Sequence, residues 1–273
     1  MTGKVGSFQA EIMLEYGTRI VCGVTPGKGG TTLGRIPIYD LVEEALSDHE
    51  VNTALNFVPA QHAKDAALEA IDNAISLVVL AAEGIPDQDV LAILYCAACK
   101  GITVLGPDTP GLVSPGKCKV GVHPNSVLKR GHVGVVSKSG ALSYEVCRLL
   151  TENGYGQSTI VGIGGGPLWG LTQRDVLEMF EGDPDTEVTV MLGEVGGTME
   201  FEAAEYIREM TKPVISLIVG RTAPMGARMG HAGAIAGGEE ETAQSKRSAL
   251  QKAGSHVADD PAGVIACLKN LGK

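Results

Sequence analysis

Short apolar runs separated by helical patterns constrain this chain more than any other feature. TRIVCGV (18–24), TALNFV (53–58), ISLVVLA (75–81) and ITVLG (102–106) are continuous rather than alternating. An alternating strand has one wet face, whereas a continuous one is buried on both, as in a parallel sheet covered by helices. Helical patterns fall between the runs, at about 40–48, 62–73 and 87–100, the last with Pro86 before it and acids in its first turn. The alternation breaks at GPDTPGLVSPGK (106–117), which lacks periodicity and reads as a link. It then restarts: HVGVVS (132–137), STIVGIG (158–164), EVTVMLGE (187–194) and PVISLIVG (213–220) read as strands. Helices are expected near 140–153, 172–181, 199–210, 241–253 and 261–271. The expectation is an α/β chain with two parallel-sheet domains in series, 1–107 and 108–273.

In such sheets ligands bind beyond the carboxyl ends of the strands, and that is where the glycines gather. There are 37 in 273 residues, about twice the usual share of roughly 7%. They cluster as GKGG (27–30), GIGGG (162–166), GEVGG (193–197) and GHAGAIAGG (230–238), where turn chemistry or close approach to a ligand would each need them. The formal charge of −10 argues against non-specific binding to nucleic acid or to an anionic membrane. The six cysteines lie mostly in apolar stretches without a disulfide-like pattern, and Cys96-x-x-Cys99 has no second pair to complete a zinc site. No metal site is expected. No apolar run is long enough to span a bilayer and no presequence is visible, so a cytoplasmic protein is expected, or a mitochondrial-matrix one if a transit peptide has been removed.

Several strand ends carry chemistry-bearing residues. The turn Thr2-Gly3-Lys4-Val5-Gly6 enters a helical pattern and resembles a phosphate cradle, although the strand that should precede it is absent. Lys28 stands among glycines after the 18–24 run, where it either reaches a phosphate or is solvated. Ser139, Gly140 and Ala141 open a helix after 132–137, as an anion site or as an ordinary serine cap. Tyr144 follows one turn later, to meet a ligand or to pack. Glu194, at the end of 187–194, needs a hydrogen-bond donor if it is part-buried, and a histidine N–H would serve.

His231 lies in RMGHAGAI (228–235), among small residues. A nucleophilic histidine needs one ring nitrogen held as N–H by a carboxylate and the other free. If the electrophile is a phosphoryl group, backbone N–H groups must also receive its oxygens. RMGHAGAI alone favours a packed histidine; Glu194 and the Ser139 turn shift the balance to a nucleophile.

GVTPGKGGTT, AEGIP, GLVSPGKCKVG, SKSGALSYE, VGIGGG, GEVGG and TAPMGARMGHAGAI occur in that order. Together they closely resemble the α subunits of succinyl-CoA synthetase (succinate–CoA ligase), from residue 2 to the C-terminus. The resemblance implies a Rossmann-like CoA-binding domain followed by a flavodoxin-like doubly wound domain. It implies His231 as the phosphorylated histidine, at Nε2, with Glu194 orienting it and Ser139, Gly140 and Ala141 holding the phosphoryl group. Thr2, Gly3, Lys4, Val5, Lys28, Ala81, Ala82 and Glu83 match CoA-binding positions, and Tyr144 matches a position for the organic acid. It further implies a β subunit of ATP-grasp fold, in an αβ or α2β2 assembly, holding ATP or GTP with Mg2+.

The sequence departs from the family in several places. The strand before the first glycine turn is absent. Asp108-Thr109 stands for the usual Asn-Cys, where a carboxylate would repel a dicarboxylate. Gly166 replaces a common Asp. Glu239, Glu240 and Glu241 follow a histidine loop one residue shorter than usual. The expected activity is therefore acid–CoA ligation with succinate as the acid. Malate or another carboxylate is the nearest rival, and a non-catalytic CoA-binding subunit the next. A Rossmann dehydrogenase fits poorly, because no acidic ribose-binding residue ends the second strand.

Overall fold

The computed structural model describes residues 1–273. Its first part runs α1 (Lys4–Glu15), β1 (Gly23–Val24), β2 (Thr32–Leu33), β3 (Ile36–Tyr39), α2 (Val42–Asp48), β4 (Thr53–Asn56), α3 (Ala60–Asp72), β5 (Leu77–Leu80), α4 (Asp87–Lys100) and β6 (Thr103–Leu105). These strands form two separate three-stranded sheets, β1-β3-β2 and β4-β5-β6. The run expected over 18–24 is strand only at Gly23–Val24, since strand geometry needs a neighbour to accept its ladder bonds. Met1 packs here: a Cβ on Gly23 would stand 2.7 Å from its sulfur, and one on Gly6 would stand 3.5 Å from its Cα. The buried face of β4-β5-β6 is closed by Ala67, Ile71, Ile93 and Ala97 of α3 and α4, which pack on Val78, Leu80 and Val104.

The second part contains β7 (Gly111–Ser114), β8 (Cys118–Gly121), β9 (Arg130–Ser137), α5 (Gly140–Glu152), β10 (Gln157–Gly162), α6 (Gln173–Gly182), β11 (Val188–Gly193), α7 (Met199–Ile207), β12 (Val214–Ile218), α8 (Ala243–Lys252), β13 (His256–Ala258) and α9 (Pro261–Asn270). Its sheet has the order β13-β12-β11-β9-β10-β7-β8. The five parallel strands from β10 to β13 therefore follow the order 2-1-3-4-5 of doubly wound flavodoxin-like sheets.

One sequence expectation is corrected here. The stretch read as a link, 106–117, contains β7, which pairs antiparallel with both β10 and β8. A hairpin thus extends the parallel sheet, and β7, β8 and β13 of this part, like β2 and β3 of the first, were not expected from the sequence. Each is only two to four residues long, too short for periodicity to register.

Both faces of the large sheet are dry, as the continuous runs require. Val133, Val135, Val190 and Leu192 pack under α5 and α9, while Val136, Met191 and Ile218 pack under α6, α7 and α8. Each such fully buried side chain is worth about 1.5–3 kcal/mol. No helix is long and apolar enough to cross a membrane.

Candidate active site

The strand order reverses between β9 and β11, and the crevice beyond their carboxyl ends is where a doubly wound sheet binds ligands. β9 ends at Ser137 and β11 at Gly193, so the segments entering the crevice are Lys138-Ser139 and Glu194-Val195. The fold thereby brings together residues that the chain separates by more than fifty positions.

Ser139 caps α5, its hydroxyl accepting the Leu142 N–H at 3.3 Å. Ser137 braces the turn, taking the Ser139 N–H at 3.0 Å and donating its own proton to the Ser139 carbonyl at 2.7 Å. The first N–H groups of a helix have no intrahelical acceptor, which leaves those of Gly140 and Ala141 available to an anion. Tyr144 closes in on the same helix end: a Cβ on Gly140 would stand 3.5 Å from its hydroxyl oxygen. Burial pushes the Tyr144 phenol above its ordinary range, so it is a hydrogen-bond donor at neutral pH.

His231 reaches this crevice on a folded-back loop. Arg228 and Ile235 form an isolated antiparallel bridge, and the Gly226 N–H donates to Ala236 O at 2.9 Å. RMGHAGAI is thus the tip of a tight hairpin. His231 Nδ1 stands 2.7 Å from Glu194 Oε2, with the carboxylate 6% exposed and the imidazole 29% exposed. The glutamate hydrogen bond raises the His231 pKa and burial opposes it. With Nδ1 engaged, Nε2 is the nitrogen left for chemistry.

Two glycines make this close approach possible. A Cβ on Gly165 would lie 2.5 Å from the His231 ring. One on Gly196, whose φ of +90° also disfavours side chains, would lie 2.2 Å from Gly233 O. The glycine clusters after β10 and β11 therefore serve as the bed of the histidine hairpin, a role that their composition alone left open.

Glu194 rests on charges the sequence reading did not identify. Its N–H donates to Glu200 Oε1 at 3.2 Å, and its carbonyl accepts from Lys246 Nζ at 2.8 Å. Lys246 and Glu200 are wholly buried and form an ion pair. Burial lowers the Lys246 pKa, with Glu200 acting against it. Lys138, 2% exposed, lies between the two carboxylates. In sequence these are ordinary helix and turn charges; only their burial distinguishes them.

Asp108 adds a carboxyl on the other side. Its φ of +55° places it in the left-handed region, which Asp tolerates better than most residues. Burial and then Glu83 raise its pKa, while His231 and the Gly165 N–H act in the opposite direction. Thr109 beside it is buried and hydrogen-bonds to Gly162 O and the Gly111 N–H, so its hydroxyl is committed to the hairpin junction.

Four of the eight other predicted binding residues meet at a cleft of about 390 Å³ at the end of β4 and β5. Val5, Ala81, Ala82 and Glu83 line it, with Thr109 on the side of the histidine site. The helices α1 and α3 both begin near it, at Gly3 and Pro59, without side-chain caps, so their N–H groups suit a phosphorylated ligand. Thr2, Gly3, Lys4 and Lys28 are exposed and lie outside its walls. The 27–30 loop is held by Asp40, whose carboxylate accepts the Lys28 and Gly29 N–H groups at 2.9 and 2.8 Å. Gly166 lies against the hairpin, its carbonyl oxygen 2.9 Å from where a Cβ on Gly233 would stand, and Glu241 accepts the Gly237 N–H at the foot of the hairpin.

Residues 1–84 match a model of the CoA binding domain, and residues 136–256 match a CoA-ligase model. The chain is 51% identical to the succinate–CoA ligase [ADP-forming] α subunit of Aquifex aeolicus, over 97% of this chain and 88% of that protein. It is 52% identical to that of Methanothermobacter thermautotrophicus, over 97% and 90%. Among solved structures, an ATP citrate lyase from Methanosaeta concilii in complex with (3S)-citryl-CoA superimposes with a TM-score of 0.77 at 30% identity, covering 82% of this chain and 39% of that one. A dinucleotide-forming acetyl-coenzyme A synthetase from Ca. Korarchaeum cryptofilum, with phosphate and ADP, gives 0.75 at 25% identity, covering 94% and 55%.

Proposed function

The chain belongs to the family of succinate–CoA ligase α subunits, and from that premise we propose that His231 carries a phosphoryl group from a nucleoside triphosphate to a small carboxylate. The chain is the α subunit of an acid–CoA ligase, which joins a carboxylate to the thiol of coenzyme A at the expense of a nucleoside triphosphate. An α subunit requires a partner. In our reading the partner is a β subunit of ATP-grasp fold that holds ATP or GTP with Mg2+.

Nε2 takes the γ-phosphoryl group, displacing the nucleoside diphosphate, and in the docked hairpin Glu194 holds the His231 Nδ1–H and stabilises the positive charge on the imidazole as that group passes on to the carboxylate. The Gly140 and Ala141 N–H groups receive the phosphoryl oxygens at the start of α5. The bound carboxylate, succinate in the first instance, is oriented by the Tyr144 hydroxyl and attacks the phosphohistidine, forming an acyl phosphate and freeing His231. The thiol of CoA then displaces phosphate from the acyl carbon, and the thiol proton leaves with phosphate. The cleft lined by Val5 and Ala81–Glu83 would hold CoA, with the uncapped ends of α1 and α3 facing its phosphates and Lys4 and Lys28 supplying positive charge at the rim.

The observation that carries this reading is the 2.7 Å contact between His231 Nδ1 and Glu194 Oε2 at the strand-order reversal, with Nε2 left over. The test is incubation of the chain and its β subunit with γ-labelled ATP or GTP. Label on His231 that is acid-labile, base-stable and discharged by succinate with CoA supports the reading; absence of label removes it. A second acid, such as malate, has one specific argument in its favour: the Asp108 carboxyl, which opposes a second carboxylate and accepts a hydroxyl.

A further inference from the structure

Two lysines surround the carboxylates of Glu194 and Glu200, both shielded from water, and their bonding is opposite. Lys246 Nζ commits all three protons, to Glu194 O at 2.8 Å, to Gly196 O at 2.6 Å and to Glu200 Oε2. Lys138 Nζ commits none. It lies 3.5 Å from Glu200 Oε1, 4.0 Å from Glu194 Oε1 and 5.1 Å from the centre of the Trp169 ring. Glu194 Oε1 is also without a hydrogen bond, its other oxygen being taken by His231. A buried ammonium group and a buried carboxylate oxygen thus face each other, each unbonded, while a histidine holds the carboxylate from the far side.

Unbonded buried charges are expensive and persist where another state of the protein uses them. The reading above supplies that state. A phosphoryl donor held by another subunit requires the 226–238 hairpin to leave its bed, and Glu194 then loses the imidazole. Every other charged group facing Glu194 is fixed: Glu200 by α7, Lys246 by its three acceptors, and Asp108 by the segment before β7, where as a carboxyl it cannot compensate. Lys138 alone has protons to offer, and a movement of about 1 Å brings its Nζ to hydrogen-bond distance of Oε1.

We propose that Lys138 is the alternate counter-ion of Glu194, replacing His231 whenever the histidine hairpin is undocked. This inference rests on the proposed phosphoryl transfer through His231. Lys138 is a positioning residue: it pairs with Glu194 and keeps its carboxylate aimed while the imidazole is away, and it yields as the hairpin returns. Both cations compete for one carboxylate, which makes docking reversible rather than permanent. A lysine suits this task, as a compact charge on a flexible stem.

Crystal structures of the full chain, unsubstituted and as His231→Ala, test the exchange directly. With the imidazole removed, Lys138 Nζ should lie within about 3 Å of Glu194 Oε1. A distance unchanged from 4.0 Å, or a shift toward Glu200, overturns the proposal. In solution, hydrogen exchange of residues 226–238 gives a second readout. Lys138→Met leaves the departing histidine without a substitute, so opening should become rarer and exchange slower by about tenfold or more. Lys138→Arg should restore the original rate. A lysine with only a structural role would lower the melting temperature and leave hairpin exchange unchanged or faster, which also overturns the proposal. If Lys138→Met does not fold, the His231→Ala structure still decides. Phosphate labelling of the unsubstituted αβ complex is scored separately, so failure of phosphoryl transfer is distinguishable from failure of the counter-ion exchange.

Discussion

His231 Nδ1 and Glu194 Oε2 are 2.7 Å apart in space and 37 residues apart in sequence. One rides on a hairpin and the other ends a central strand. The pair fixes which imidazole nitrogen can act, and it makes the hairpin's position depend on charge.

His231→Asn should abolish phosphoenzyme formation and turnover while leaving the melting temperature within about 2 °C, because the imidazole packs on Gly165 rather than within the core. Labelling with γ-labelled nucleotide and a thermal melt check this. Label persisting on the variant would move the phosphoryl group to another residue.

Glu194→Gln should slow single-turnover transfer of the phosphoryl group from His231 to succinate by roughly 10²- to 10⁴-fold without weakening CoA binding, which the proposed function places at the other cleft. It should also return the His231 pKa toward its ordinary value, since the glutamate hydrogen bond is the main cause of the increase. The sign follows: the folded pKa lies above the unfolded one, so the stabilisation is complete below the unfolded pKa and is lost as pH rises through the raised value. Hairpin exchange in the unsubstituted chain should therefore quicken as pH rises through that value, and Glu194→Gln should flatten the dependence. An NMR titration of His231 that is identical in both proteins would refute the coupling.

Asp108→Asn removes the carboxyl that faces the site across from Glu194. Its charge supports the protonated imidazole, so the His231 pKa should fall in the variant. Repulsion of a dicarboxylate should also fall, lowering the KM for succinate by roughly tenfold, or about 1.4 kcal/mol. Steady-state kinetics with succinate and with malate check both parts; an unchanged KM for succinate would place Asp108 outside the acid-binding region.

His123 is fully buried, its ring meets Tyr144 edge-on at 5.3 Å, and the Pro110 carbonyl is its one polar neighbour opposing a lowered pKa. Burial, helped by Lys119, holds its pKa down to about 4. A depressed pKa gives stability that is complete above the unfolded value, near 6.5, and is lost as pH falls through the folded value. The difference corresponds to about 3 kcal/mol. His123→Met should therefore lose less of its melting temperature between pH 6.5 and pH 4 than the unsubstituted chain. Parallel pH–melting curves would show that His123 carries no part of the acid sensitivity.

What the sequence determined is what local chemistry determines. Continuous apolar runs announced strands buried on both faces, and their alternation with helices announced an α/β chain with parallel sheets. The Ser139 cap and the small-residue loop around His231 were legible because capping and tight turns depend on neighbours within a few residues. The pairing of Glu194 with His231 was anticipated as a need for a donor that a histidine could meet, and by the family resemblance. The tertiary structure decided the rest. Strands β7, β8 and β13 exist because a sheet edge was present to accept them. Lys138, Glu200 and Lys246 became one buried network because β9, α7 and α8 converge beneath the hairpin. Charged residues in sequence look solvated by default, and nothing local to them encodes their desolvation. Burial is a property of the assembled layers, and here it converts ordinary lysines and glutamates into the support of the candidate nucleophile.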